Sequence, residues 1–125
     1  MKNIVVIEDN LDNQLLVQAI LEKKYHVSCF ESGLSAYEYM LDCPPDIMLL
    51  DISLPEMDGP EVLALVRSSN SLRHIPAIAL TAHAMTGDRE KFLSMGFQAY
   101  LSKPILDEGV LYDAIEKTLK SKRDL

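Results

Sequence analysis

Three carboxylates, a hydroxyl and an ammonium stand out in this chain because each closes a short apolar run. Glu8-Asp9 end "NIVVIED", Asp51 ends "IMLLD", Thr81-Ala82 end "AIALTA", and Ser102-Lys103-Pro104 follow "AYL". Such runs are usually buried strands, and an ionised carboxylate is almost never buried without a partner. Asp51 alone has two readings: it caps the next segment, or the strand holds it at its end for chemistry. The other charges decide between them. Carboxylates brought close repel and raise one another's pKa unless a cation joins them. A hard, oxygen-seeking ion that keeps several waters fits such a shallow site, so Mg²⁺ is expected, with Mn²⁺ as the alternative and zinc disfavoured. Beside that ion an ionised Asp51 is a credible nucleophile toward phosphorus, forming an aspartyl phosphate. Phosphoryl transfer asks mainly for placement and for neutral charge at the equatorial oxygens. Lys103, the Thr81 hydroxyl and the Ala82 N–H would supply both. The Lys103-Pro104 pair also allows a cis bond that would aim the ammonium back across the site.

These residues share one rim only if strands and helices alternate, and the pattern says they do. "NIVVIE" (3–8) is a β-branched strand of the kind covered on both faces. Asp12 is the expected N-cap of a helix running through Lys24, with Leu16, Ala19, Ile20 and Lys23 on one face. "YHVSCF" (25–30) is the second strand, with Val27 and Cys29 on one side. Gly33 is expected to end it, and "SAYEYMLD" makes a short helix closed by Pro44-Pro45. Residues 47–50 are the third strand. Pro60 suits a first helical position, and Val62, Leu63 and Val66 form an inward face. Pro76 precedes a fourth strand (77–80), and 87–95 read as a helix closed by Gly96. "AYL" (99–101) is the fifth strand. The last helix places Val110, Leu111, Ala114, Ile115, Thr118 and Leu119 at helical spacing, and its basic end, 117–123, suits a helix C-terminus. Five strand–helix units with right-handed crossovers give an α/β, doubly wound parallel sheet. In such sheets sites form outside the carboxyl ends of the strands.

Bulk properties narrow the classes. The 125 residues are read as one domain, 1–125, with 48% hydrophobic and 25% charged residues. No apolar run approaches the ~20 residues needed to span a bilayer, and the first residues lack the apolar core of a signal peptide. A cytoplasmic protein without a membrane partner is expected. Cys29 and Cys43 have neither CxxC nor metal-ligand spacing, so reduced, packed thiols are expected. A net charge of −7 argues against nucleic acid as a partner. The absence of GxxxxGK[ST] removes a nucleotide-binding loop.

Taken in order and spacing, "VVIEDN", "IMLLDISLPEMDG", "AIALTAHAM" and "AYLSKPI" resemble the receiver domain of two-component response regulators, over essentially the whole chain. Each piece is weak alone; the combination is highly specific. The resemblance implies a five-stranded, flavodoxin-like (βα)₅ sandwich of order 2-1-3-4-5. In that family the acidic pair matched by Glu8-Asp9 holds Mg²⁺, and the position matched by Ser53 lends its backbone carbonyl. The position matched by Asp51 accepts phosphate from the phosphohistidine of a histidine kinase or histidine phosphotransfer domain. Thr81 and Lys103 match residues that contact the phosphoryl group. Tyr100 matches an aromatic that changes position as the threonine moves inward. Side chains matching Ser53 and His83 flank the path of the attacking water and tune phosphate lifetime. The chain ends about where that domain ends, which implies a single-domain regulator acting on a downstream protein, as a monomer or a phosphorylation-dependent dimer. The same motifs resemble receiver modules fused to hybrid histidine kinases, so an excised module is the alternative.

Blander readings stand beside these. Asp58-Gly59 is a turn signal with no chemistry assigned, and Met57 is a packing residue. Tyr100 could be a half-buried strand aromatic with its hydroxyl in water. His26 and His74 are expected at the surface, and His83 near the site. The rival class is a haloacid-dehalogenase-type phosphatase, which also uses an aspartyl nucleophile with Mg²⁺. That family resembles a DxD motif, and here the second Asp is replaced by Ser53. Turnover of external phosphoesters is therefore not expected; at most the chain would catalyse its own phosphorylation and dephosphorylation. A phosphorylation-independent interaction module is the minor third reading.

Overall fold

The apolar runs form strands β1 (Asn3–Ile7), β2 (His26–Phe30), β3 (Ile47–Asp51), β4 (Ala77–Thr81) and β5 (Ala99–Ser102). Between and after them lie helices α1 (Leu11–Leu21), α2 (Gly33–Asp42), α3 (Gly59–Ser68), α4 (Asp88–Met95) and α5 (Glu108–Arg123). This computed structural model describes residues 1–82 and 87–123. The strands are all parallel, in the order β2-β1-β3-β4-β5. The doubly wound, 2-1-3-4-5 expectation holds.

Both faces of the sheet are covered, which is why its central strands read as unbroken apolar runs rather than alternating ones. Val5, Ile7, Met48 and Leu50 pack on one face with Ala36, Met40, Val62, Leu63, Val66 and Phe92, from α2, α3 and α4. Ile4, Val6, Ile47 and Leu49 pack on the other with Val17, Ile20, Leu111 and Ile115, from α1 and α5. Truncating a central member such as Leu49 to Ala should cost roughly 2–5 kcal/mol, as a cavity in a closed core does.

Local chemistry departs from the sequence reading in α1, α2 and α5, and at Cys43, which is exposed rather than packed. α1 is capped by Asn10, whose side chain accepts from the Asn13 N–H, and not by Asp12. It ends at Leu21 rather than Lys24, because the Lys24 and Tyr25 N–H groups both return to the Leu21 carbonyl. Its buried side is Gln14, Val17, Ile20 and Leu21, whereas Leu16, Ala19 and Lys23 are not buried. Gly33 opens α2 after the Ser32 cap instead of closing β2. A Cβ at Gly33 would lie 2.2 Å from a Val62 methyl, so the glycine is set by α3 packing against α2. On α5, Leu111, Ile115, Thr118 and Leu119 are buried as expected, but Val110 is exposed.

Candidate functional site

The strand register builds the site. Ile7 pairs with Leu50, so Glu8 comes abreast of Asp51; Asp51 pairs with Leu80, and Thr81 with Ser102. Each ladder runs one residue further than the strand. The Glu8 N–H donates to the Phe30 carbonyl at 3.0 Å, Ile52 to Leu80 at 3.0 Å, and Lys103 to Thr81 at 2.8 Å. Glu8 and Asp51 are thus held at the rim by backbone, and both are buried, at 0% and 1% exposure. Asp9, one residue on, is exposed.

The Lys103 ammonium donates to Asp51 Oδ2 at 2.9 Å and to Glu8 Oε1 at 3.1 Å. The Lys103-Pro104 peptide is cis. The Ser53 N–H donates to Asp51 Oδ1 at 3.0 Å. Thr81 is buried at the end of β4, with Ala82 exposed beside it. Tyr100 lies on β5, half-buried, its ring 5.5 Å from that of Phe92. His83 and residues 84–86 lie outside the described residues. His26 and His74 are exposed.

Each of Glu8, Asp9 and Asp51 offers a carboxylate oxygen, and these oxygens lie within 4.8 Å of one another. Three carboxylates against one ammonium leave an excess of negative charge in a mostly dry site. Burial pushes the Glu8 carboxyl up to about 7, with the neighbouring Asp51 carboxylate adding to the rise. Burial also acts to raise Asp51, but hydrogen bonds from Glu8, Lys103 and Ser53 overcome it and hold Asp51 below the usual carboxylate value. Burial alone would lower Lys103, yet Asp51 and Glu8 raise it. An oxygen-only donor set with surplus negative charge suits a hard divalent cation such as Mg²⁺ or Mn²⁺ and offers zinc nothing it prefers.

Two supports go beyond the turn signal that Asp58-Gly59 gives in the sequence. Gly59 donates its N–H to the Ile52 carbonyl at 3.1 Å, and a Cβ there would lie 2.5 Å from the Asp51 carbonyl oxygen. Only glycine lets the loop after Asp51 fold back that closely. Asp58, beside it, caps α3 in a reciprocal pair with Glu61, which anchors the loop's far end. Met57 packs against the core and Glu56 takes a positive φ of 65°. On the other side of β5, α4, β5 and α5 enclose a groove of about 750 Å³, lined by Phe92, Tyr100, Val110 and Lys117 among others.

A 2-1-3-4-5 parallel sheet that ends its central strand on a buried Asp, ringed by two further carboxylates and a lysine, places the chain in one class. Residues 4–116 match the family described as the response regulator receiver domain, and the chain belongs to that family, a component of two-component signal transduction. Its named relatives include the polar-differentiation response regulator DivK of Brucella ovis, 42% identical over 105 residues, covering 83% of this chain and 85% of that protein. Among solved structures, the receiver domain of a Pseudomonas aeruginosa sensor histidine kinase superposes with a TM-score of 0.85 at 32% identity, covering 95% and 98% of the two chains. That receiver holds a magnesium ion coordinated in its active-site cleft. A chemotaxis protein of Vibrio cholerae superposes with a TM-score of 0.87 at 20% identity, covering 94% and 98%, and shares the fold. Among the described residues, no helix is long and apolar enough to cross a membrane.

Proposed function

We propose that this chain, over residues 1–125, is a phosphorylation-dependent signalling switch that takes a phosphoryl group on Asp51 from a phosphohistidine. The observation that carries the reading is Asp51 itself: buried at the end of the central strand, ionised, and gripped by Lys103 at 2.9 Å. An Asp51 oxygen attacks phosphorus in line, the P–N bond breaks, and its electron pair leaves on the imidazole, which is then protonated. Glu8, Asp9, Asp51 and the Ser53 carbonyl would hold the divalent ion. When bound, that ion supplies positive charge against the phosphoryl oxygens. Lys103, the Thr81 hydroxyl and the Ala82 N–H take the remaining oxygens, each a charge-assisted contact. The donor is a histidine kinase or a histidine phosphotransfer domain, and the reader is a downstream protein that senses the groove containing Tyr100. Ser53 and His83 set how long the phosphate survives.

Turnover of external phosphoesters is not favoured, because Ser53 stands where a phosphatase of the aspartyl class carries its acid–base. The test is intact mass after incubation with acetyl phosphate, with Mg²⁺ and with chelator. Gain of one phosphate in Mg²⁺ alone supports the proposal. No gain, or equal gain with chelator, would overturn it.

A further inference from the structure

Gln14 is a polar side chain on the buried side of α1, and its place there has a specific cause. Its side-chain amide donates to the backbone carbonyl of Glu8 at 3.1 Å. That carbonyl lies past the end of the sheet ladder: β2 stops at Phe30, whose own carbonyl is already taken by the Glu8 N–H. Left alone, it would be a buried acceptor without a strand to answer it, and burying an unmet acceptor is costly. The Glu8 carbonyl belongs to the peptide plane that leads into Asp9. Fixing that plane fixes where the Asp9 carboxylate starts. The amide orientation is settled by chemistry, since a carbonyl can only accept and only the Gln14 nitrogen can donate.

We infer that Gln14 is a positioning residue for the acidic pair, holding the Glu8–Asp9 peptide so that Asp9 stays within ion-binding reach of Glu8 and Asp51. This inference rests on the ion site proposed above. α1 reaches the Glu8 backbone through this hydrogen bond, and its N-cap Asn10 donates its N–H to Glu8 Oε2 at 3.5 Å, while Val17, Ile20 and Leu21 fill the core. Groups that orient metal-binding residues from behind typically change metal affinity by 10–100-fold when removed.

Gln14→Met keeps length and volume but deletes the donor. Val17→Ala is the control, a packing loss on the same buried side of the same helix. Mg²⁺ titrations followed by amide chemical shifts should show affinity weakened about tenfold in Gln14→Met and unchanged in Val17→Ala. Without Mg²⁺, the Asp9 and Asn10 amides should shift in Gln14→Met and stay put in Val17→Ala. Phosphorylation by acetyl phosphate should need more Mg²⁺ in Gln14→Met yet reach the wild-type rate at saturation. Equal affinity in Gln14→Met and wild type overturns the inference, as does equal weakening in both variants. If wild type binds no Mg²⁺, the ion site itself fails and takes this inference with it; the other failures leave the ion site standing.

Discussion

The sheet carries a partly buried cation at each end, and the two are treated in opposite ways. At the amino ends of β4 and β5, Arg67 donates to the carbonyls of Arg73 at 3.1 Å, Ile75 at 2.7 Å and Gly96 at 2.9 Å, and to the Gln98 side-chain oxygen at 3.3 Å. All four partners are neutral, so the guanidinium is satisfied with no charge left facing it. Burial pushes its pKa down, but guanidinium starts high enough to stay charged. At the carboxyl ends, Lys103 has two buried carboxylates in contact and a third nearby. The first arrangement is finished; the second is left short of positive charge. The rim proposed to receive a cation and a phosphoryl group is left with unbalanced charge, and the Arg67 edge is not.

The largest expected effect comes from removing Asp51, the proposed nucleophile. Asp51→Asn should abolish phosphate gain entirely. An Asp51→Asn variant that still gains a phosphate would move the acceptor elsewhere. Glu8→Gln, by contrast, should raise the stability of the ion-free protein above about pH 7, since the fold disfavours the ionised Glu8 carboxyl. A Glu8→Gln variant less stable than wild type there would mean the rim is not under charge strain.

The opposite edge should answer in the opposite direction. Arg67→Met leaves several carbonyl oxygens without their donor and should cost about 2–3 kcal/mol in denaturant unfolding. Phosphorylation of the folded fraction should be unchanged. A neutral outcome for stability would erase the contrast between the two ends.

The pH dependence sharpens it further. With no ion bound, the folded protein holds the Glu8 carboxyl at about 7 against 4.5 for a free one. The folded state therefore prefers the protonated form. That contribution is complete below about 4.5 and is lost as pH rises through about 7. Asp51 is shifted the other way, so its contribution is present above 3.8 and is lost only on further acidification. Between these limits Glu8 sets the sign. The ion-free protein should lose on the order of 2 kcal/mol across this window. Glu8→Gln should be nearly flat. Saturating Mg²⁺ should oppose the loss, because the ion binds only the ionised carboxylate. Thermal melts at several pH values decide it, and a melting temperature that rises through the window would contradict the assignment.

How much of the molecule is legible in its sequence depends on how local each cause is. Strands buried on both faces announce themselves as apolar runs, and the residue closing each run lies at the rim by topology alone. Glu8, Asp51, Thr81 and Lys103 can therefore be named from spacing. α1 misleads because exposed Leu16, Ala19 and Lys23 space like a core stripe with Ile20, while a buried position goes to polar Gln14. The reason for that exchange, an acceptor left beyond the ladder at Glu8, exists only once β1 and β2 are paired. Gly33 and Gly59 read as turn signals, but their need for a missing Cβ comes from Val62 and from the Asp51 backbone. Arg67 gives no signal at all, since its carbonyl partners are backbone atoms that any residue could carry.

The smallest expected effect concerns how far a change at the rim travels. A phosphoryl group brings negative charge and acceptor oxygens, and Thr81 is the hydroxyl at the end of the adjacent strand. Drawing Thr81 toward it would loosen packing on the side of β4 that faces β5. Tyr100 pairs with Ala79 there and packs on Phe92 of α4, so its ring is the one placed to respond. The C-terminal end of α4 is different: Gly96 and Gln98 are tied to Arg67 from the far edge. The change should therefore reach Tyr100 and fade before Gly96. Amide shifts with and without beryllofluoride, a phosphoryl mimic, should move at Tyr100 and Phe92 and stay small at Gly96 and Gln98. In Thr81→Ala the mimic should still bind, because Asp51, Lys103 and the acidic pair are intact, yet the Tyr100 shift should vanish. A full Tyr100 response in Thr81→Ala would show that the threonine does not carry the signal. Equal shifts at Tyr100 and Gly96 would show that the Arg67 edge is no anchor, and the two ends of the sheet would move as one.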